Sequence, residues 1–125
     1  MAWDSRTFDE LATLPEIDVV VPAEGRKPIR TPIWPVAVAG QVYVRSWKGE
    51  NGLWYRRARR TGEGSVVTGT GEHEVRFVPV ADPDLDAAID REFLSKYRGS
   101  AYAAEMIKPP ATGTTMRLDP ASPSS

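Results

Sequence analysis

Short runs of alternating apolar and polar residues, each closed by glycine or proline, limit the fold of this chain more than any other feature. Apolar and polar residues alternate over 17–21, and this run ends at Pro22. A second alternating run covers 34–38, and the alternation continues over 42–44 after Gly40. Alternation with period two predicts half-buried strands, and two runs joined by a tight glycine turn predict a β-hairpin. The pattern therefore favours an antiparallel sheet.

Two further regions carry the same signal. The runs 65–69 and 73–80 predict a second hairpin, and 114–118 predicts a last strand. The segment 24–28 is polar and contains glycine and proline, so it is interpreted as a loop. About six strands result.

Helices are predicted from their end signals. Thr7 and Glu10 have capping-box spacing, which predicts a short N-terminal helix. The segment 53–60 has a helical pattern that Gly62 stops, and Asp82 followed by Pro83 opens the clearest helix. A short helix over 100–106 would bring the number to four.

These elements predict a mainly β protein with inserted helices, of the α+β class. Because the helices do not alternate regularly with strands, a doubly wound parallel sheet is disfavoured, and an antiparallel sheet curled into a small barrel fits better. We expect one domain over residues 1–118. Residues 119–125 are rich in proline and serine and predict a disordered tail.

Composition excludes several classes of site. The chain has no cysteine and one histidine, so it has no disulfide, no thiolate nucleophile and no multi-histidine metal centre. We expect no metal. The start of the chain lacks a signal-peptide pattern and no apolar run reaches the ~20 residues of a membrane span, so a cytoplasmic protein without a membrane partner is expected. The net charge of −1 argues against a nucleic-acid partner.

Charge is nevertheless uneven. The segment 45–60 holds six basic side chains and one acidic one. Arg45 and Ser46 end a predicted strand, and Arg57 falls on the packing face of the helix that follows. Guanidinium and hydroxyl groups are charge-assisted donors suited to a phosphate, and the rings of Trp47 and Trp54 would lie beside them. The residues predict an anion site next to a flat heterocycle.

A structural interpretation of the same residues stays open. Arg57 could instead be tied to Asp86 or Asp90 of the acidic helix, because an unpaired buried charge is costly. The remaining arginines of the helix would form a solvated face or, in a third hypothesis, hold an acidic partner; they are Arg56, Arg59 and Arg60.

Aromatic residues supply two more candidate groups. Tyr97 and Tyr102 are candidate catalytic phenols, since a phenol at the rim of a cavity can donate a proton; core packing is the alternative. Trp34 and Tyr43 are candidates for lining a substrate pocket. With Trp54 and Tyr97 they could shape a pocket for a small apolar or polycyclic metabolite without any cofactor.

Several short stretches along nearly the whole chain before the tail form a distinctive set. They are Thr31-Pro32-Ile33-Trp34, Val42-Tyr43-Val44-Arg45-Ser46, Trp54-Tyr55, Arg57-Ala58, Val75-x-Phe77-x-Pro79-Val80, Lys96-Tyr97 and Thr115-x-Arg117-Leu118. Together they resemble a small bacterial family of unknown function, the domain of unknown function 2255.

That family is similar to the split β-barrels that bind flavin mononucleotide (FMN) or a deazaflavin, including nitroreductase-like proteins and pyridoxamine phosphate oxidases. The resemblance implies a split β-barrel and a homodimer. It also implies that Arg45, Ser46 and Arg57 hold the cofactor phosphate. The leading hypothesis is an oxidoreductase that passes a hydride to a small organic substrate, and its partner would be a small-molecule ligand.

Overall fold

The computed structural model of the protein describes residues 3–121. Within them, seven strands form one sheet in which every hydrogen-bonded pair is antiparallel. The strands are β1 (Ile17–Ala23), β2 (Arg26–Ile33), β3 (Val36–Val38), β4 (Gln41–Val44), β5 (Glu63–Thr68), β6 (Gly71–Pro79) and β7 (Met116–Pro120).

Three α-helices and three short 3-10 turns connect the strands. The helices are α1 (Ser5–Thr13), α2 (Leu53–Thr61) and α3 (Pro83–Lys96). The 3-10 turns span Gly49–Asn51, Ala103–Ile107 and Ala111–Thr114. The α3 start confirms its sequence signal, because the Asp82 side chain accepts hydrogen bonds from the N–H groups of Asp84 and Leu85.

The strand order explains why the sheet curls. It runs β2-β1-β5-β6-β7-β4-β3, so β2 and β3 lie at opposite edges. Only Trp34 and Pro35 separate the end of β2 from the start of β3. The three peptide steps from Ile33 to Val36 span at most about 11 Å, so the two edges must approach each other. They do not pair, and the sheet is a curled half-barrel of mainly β structure with helices, as the sequence predicts.

Three details differ from the sequence prediction. The segment 24–28 was interpreted as a loop, but it contains only a turn, and β2 already begins at Arg26. Strand β2 tolerates Pro28 and Pro32 because it lies at the edge of the sheet. The cap of α1 is Asp4 rather than Thr7, whose N–H and hydroxyl both donate to the Asp4 carboxylate.

The third difference concerns the end of the chain. Asp119 and Pro120 belong to β7 and pair with β6, so they are not part of a disordered tail. The Asp119 carboxylate also accepts two hydrogen bonds from Arg117, at 2.7 and 2.9 Å. Residues 122–125 of the predicted tail lie outside the described residues.

Two apolar cores flank the sheet. One joins Leu11 of α1 and Trp54 of α2 to inward side chains of the strands. The other joins Ile89 and Phe93 of α3 to Tyr43 of β4. Residues 42–46 are all buried, because this stretch passes between the two cores. Among residues 3–121 no helix has the length and apolar character that crossing a bilayer requires.

Candidate functional site

A cleft lies where the half-barrel stays open. It has a volume of about 770 Å³ and is lined by residues 29–34, 45–48 and 52–54, together with Tyr102 and Met106. These segments are the second half of β2, the end of β4 with its following loop, and the start of α2. Its size is within the usual range of about 300–1,000 Å³ for small-molecule sites.

Aromatic side chains form much of the cleft wall. Trp47 and Tyr102 meet edge to face, with ring centroids 6.3 Å apart, and are 55% and 62% exposed. Trp34 stacks on Tyr97 with centroids 4.0 Å apart, and Trp54 reaches the cleft from the α2 core. Exposed ring faces of this kind favour a flat, partly apolar ligand.

Arg45 lies at the base of the cleft, but the protein itself uses its whole guanidinium group. The side chain is buried, and its Nη1 donates to Asp90 Oδ1 at 2.5 Å and to the Met106 carbonyl at 2.8 Å. Its Nε donates to Thr115 Oγ1 at 2.9 Å, and its Nη2 faces Asp86. Every nitrogen of the Arg45 guanidinium therefore already has an acceptor within the protein, unlike the open phosphate donor that the sequence predicts.

Ser46 is also hydrogen-bonded within the protein. Its hydroxyl donates to the Gly49 carbonyl at 2.8 Å, and its N–H donates to Thr114 Oγ1 at 2.8 Å. The space around it is closed: a Cβ at Gly52 would lie 2.5 Å from Ser46 Oγ. Ser46 therefore shapes the loop that precedes α2, and although it lines the cleft, its hydroxyl proton is used within the protein.

Arg57 lies in another groove. Its Nη1 donates to the Lys27 carbonyl at 3.1 Å and approaches the Val21 carbonyl at 3.5 Å. The three predicted phosphate ligands do not converge, because Arg57 is not among the residues around the cleft. The acidic helix does bind an arginine, but through Asp86 and Asp90 it holds Arg45 instead of Arg57.

Tyr97 is a core residue. Its hydroxyl oxygen lies 2.9 Å from the Pro15 carbonyl oxygen and 3.1 Å from that of Pro35, so the two carbonyls share its single proton, and burial raises its pKa. A phenol in this state holds its proton tightly and does not face the cleft. The predicted rim position is therefore wrong for Tyr97, whereas Tyr102 does lie at the rim.

Tyr43 does not line the cleft either. It is 4% exposed, packs under α3, and burial raises the pKa of its hydroxyl. The sequence places it correctly on the strand face shared with Arg45, but that face is covered by α3 and is not open. Of the predicted pocket residues, the structure brings together Trp34, Trp47 and Trp54.

Sequence reasoning missed the cations that remain at the rim. Lys48 is exposed and makes no ion pair with any residue from 3 to 121. Arg30 also lines the cleft, although its Nε donates to Asp18 Oδ2 at 2.6 Å. Lys48 is adjacent to Trp47 in sequence, and this adjacency was an available signal. Arg30 could not be identified as a cleft residue from the sequence, because β2, the strand that carries it, was not predicted.

Several solved structures share this fold at low sequence identity. A conserved hypothetical protein, Rv2991, from Mycobacterium tuberculosis is 12% identical, with a TM-score of 0.64 over 94% of this chain and 79% of its own. A putative pyridoxamine 5'-phosphate oxidase from Listeria innocua is 11% identical, with a TM-score of 0.61 over 90% and 87%. An F420 reductase is 14% identical, with a TM-score of 0.57 over 90% of each chain.

At these identities the likeness establishes the fold, which is the split barrel that the sequence resemblance implies. None of the curated proteins matches the chain. The family model described as an uncharacterized protein conserved in bacteria (DUF2255) matches residues 8–118, and the chain therefore belongs to that family.

Proposed function

We propose that the cleft binds a phosphorylated flavin or deazaflavin and that the protein is an oxidoreductase acting on a small organic substrate. The observation that carries the proposal is the pairing of exposed ring faces with the Lys48 ammonium group and the rim guanidinium of Arg30 in one cleft of about 770 Å³. The fold likeness to an F420 reductase and a putative pyridoxamine 5'-phosphate oxidase adds support.

The residues present fit the ring better than they fit the phosphate position implied by the family resemblance. Trp47 and Tyr102 offer exposed aromatic surface for a flat ring system. Arg45 and Ser46 have no free donor, so the phosphate would be held by Lys48 and Arg30 at the rim. A lysine ammonium group is an effective phosphate partner even without bidentate geometry.

The chain would contribute binding, orientation and a proton. A bound flavin or deazaflavin supplies hydride transfer, whereas none of the cleft side chains can do so. Tyr102 lies at the rim with an exposed hydroxyl, where it can donate a proton to a substrate. The indoles of Trp34 and Trp54 exclude water from the inner part of the cleft, which strengthens electrostatic contacts there.

Ligand titration tests the proposal without an activity assay. We expect FMN or a deazaflavin to bind with a micromolar Kd, measured by quenching of its fluorescence. Trp47→Ala should weaken binding by about tenfold, because stacking of a heterocycle on an aromatic ring contributes roughly 1–3 kcal/mol.

Leu94→Ala is the matched control. Leu94 is an exposed apolar residue of α3, outside the residues that line the cleft, and its variant should bind like the parent protein. The proposal is contradicted if the protein purified from its native host carries no chromophore and, at micromolar concentration, does not quench the fluorescence of any flavin or deazaflavin.

A second candidate function is supported by the hydrogen bonds that Arg45 and Ser46 donate within the protein. Without these two residues, the inner part of the cleft has no free charged donor, which suits an uncharged polycyclic metabolite bound without a cofactor. Riboflavin separates the two candidates. Equal affinity for riboflavin and FMN, unaffected by Lys48→Ala, would favour the cofactor-free binder, whereas a preference for FMN that this substitution removes favours the phosphorylated cofactor.

A further inference from the structure

A second groove runs along the other half of α2. It has a volume of about 550 Å³ and is lined by residues 22–24 and by four arginines. These arginines are Arg26, Arg56, Arg57 and Arg60. The sequence had grouped Arg59 with its neighbours, but Arg59 turns away and donates to the Tyr55 hydroxyl at 3.0 Å. Compared with the predicted basic face, the groove therefore lacks Arg59 and gains Arg26 and Arg57.

The charge of this groove is not neutralised internally. Glu24 is the one carboxylate among the lining residues, and within residues 3–121 none of the four arginines forms an ion pair. Arg57 uses only Nη1, on the Lys27 and Val21 carbonyls. Several guanidinium groups without carboxylate partners on one concave surface suit an anion with more than one charge.

The arginine groove adjoins the aromatic cleft. Leu53, which is 46% exposed, lines both of them. Both also follow the same two elements, since the cleft contacts the start of α2 and residues 29–33 of β2, and the groove contacts the rest of α2 and Arg26. From Leu53 to Arg60 the helix rises about 10 Å, at 1.5 Å per residue.

We propose that the ligand of the aromatic cleft carries an anionic tail that passes Leu53 and is bound by Arg26, Arg56 and Arg60. This inference rests on the proposed function and specifies its ligand class. The tail would be the AMP half of FAD, which is joined to the FMN phosphate, or the oligoglutamate of a deazaflavin, both of which present anionic oxygens to guanidinium groups. A mononucleotide such as FMN ends too early to use the second groove.

The test compares ligands that differ only in the tail. Kd values for FMN and FAD are measured on the parent protein and on the double variant Arg56→Ala/Arg60→Ala. We expect FAD to bind at least about fivefold more tightly than FMN to the parent protein, and the double variant to lose this preference while its FMN affinity changes less than about twofold.

The double variant Arg91→Ala/Arg98→Ala is the control for net charge. Both residues are exposed and lie outside the two grooves, so this variant should keep the preference for FAD. A parallel pair, coenzyme F420 with and without its oligoglutamate tail, identifies which kind of tail is bound.

The outcomes separate the two proposals. If FMN binds but neither tail improves affinity, or if Arg56→Ala/Arg60→Ala weakens FMN and FAD equally, the tail inference is wrong and the proposed function stands. If the parent protein binds no flavin and no deazaflavin, the proposed function fails, and the tail inference fails with it. Circular dichroism of each variant shows that the fold is retained, as expected for exposed side chains.

Discussion

The α3 side and the α2 side of the sheet treat cations in opposite ways. On the α3 side, the Arg45 guanidinium is buried and surrounded by Asp86, Asp90, Thr115 and a carbonyl. On the α2 side, the arginines of the second groove remain exposed or half-exposed, without carboxylate partners among residues 3–121.

The difference shows how to separate a structural arginine from a ligand-binding one. A fully buried guanidinium requires acceptors from the protein before any ligand arrives, because an unpaired buried charge would destabilise the folded state by several kcal/mol. Burial at the base of a cleft therefore argues against a binding role when the acceptors are already present. Cations that can bind a ligand lie at the rim, where water solvates them in the free protein.

The largest expected effect comes from removing the structural arginine. Arg45→Met should lower the free energy of unfolding by about 3–5 kcal/mol, because it leaves two carboxylates and the Thr115 hydroxyl without their donor. Urea denaturation measures the change. Arg56→Met is the matched control and should stay within about 0.5 kcal/mol of the parent protein. A loss below about 1 kcal/mol for Arg45→Met would mean that Arg45 is not a structural residue.

A smaller effect is expected where the Ser46 loop meets α2. Gly52→Ala should lower the free energy of unfolding by about 1–3 kcal/mol, because the new Cβ would lie 2.5 Å from Ser46 Oγ. Thermal and urea unfolding check this value. Gly99→Ala is the control, since a Cβ at Gly99 meets nothing within 4 Å. Equal stability of the two variants would show that the Ser46 loop yields easily and that its hydroxyl can turn toward a ligand.

The smallest effect concerns a second cation of the α3 side, the half-buried Lys96. Burial lowers the pKa of Lys96 to about 8 from its ordinary 10.5, while its Nζ donates to the Pro35 carbonyl. Between pH 8 and 10.5 the unfolded chain still holds the proton that the folded protein has released. Unfolding then takes up a proton, so this group makes the folded state more stable as the pH rises through that window.

Urea denaturation at several values between pH 7.5 and 10 checks this sign. The free energy of unfolding of the parent protein should rise with pH relative to that of Lys96→Met, whose difference from the parent isolates the lysine from other titrating groups. Parallel pH profiles would contradict the lowered pKa and would place Lys96 with the solvated cations of the α2 side.

Sequence reasoning succeeded where the signal is local. The hairpin of β3 and β4 was predicted because Ala39 and Gly40, both with positive φ, form the tight turn between alternating runs. The end of α2 was predicted because Gly62 adopts the left-handed conformation that closes a helix. It failed for β2, because proline occurs both in polar loops and in edge strands and therefore does not distinguish them.

The candidate site was predicted only in part for a related reason. Trp34, Trp47, Trp54 and Tyr102 were singled out from the sequence and all line the cleft, because tryptophan and tyrosine residues are few in this chain. Whether a neighbouring cation was free to bind a ligand was not predictable, and Lys48 and Arg30 were overlooked in favour of Arg45 and Arg57.

By itself, the sequence determined the approximate positions of every strand except β2 and of the three α-helices, as well as the barrel class, because turn residues, caps and periodicity act over a few positions. The tertiary structure decided which cations are free. The acceptors of Arg45 lie 41 to 70 residues away along the chain, in α3, in the turn 103–107 and at Thr115, just before β7. Only folding brings them together, and their contacts convert a predicted phosphate ligand into a structural residue and leave the open clefts to the cations along β2 and α2.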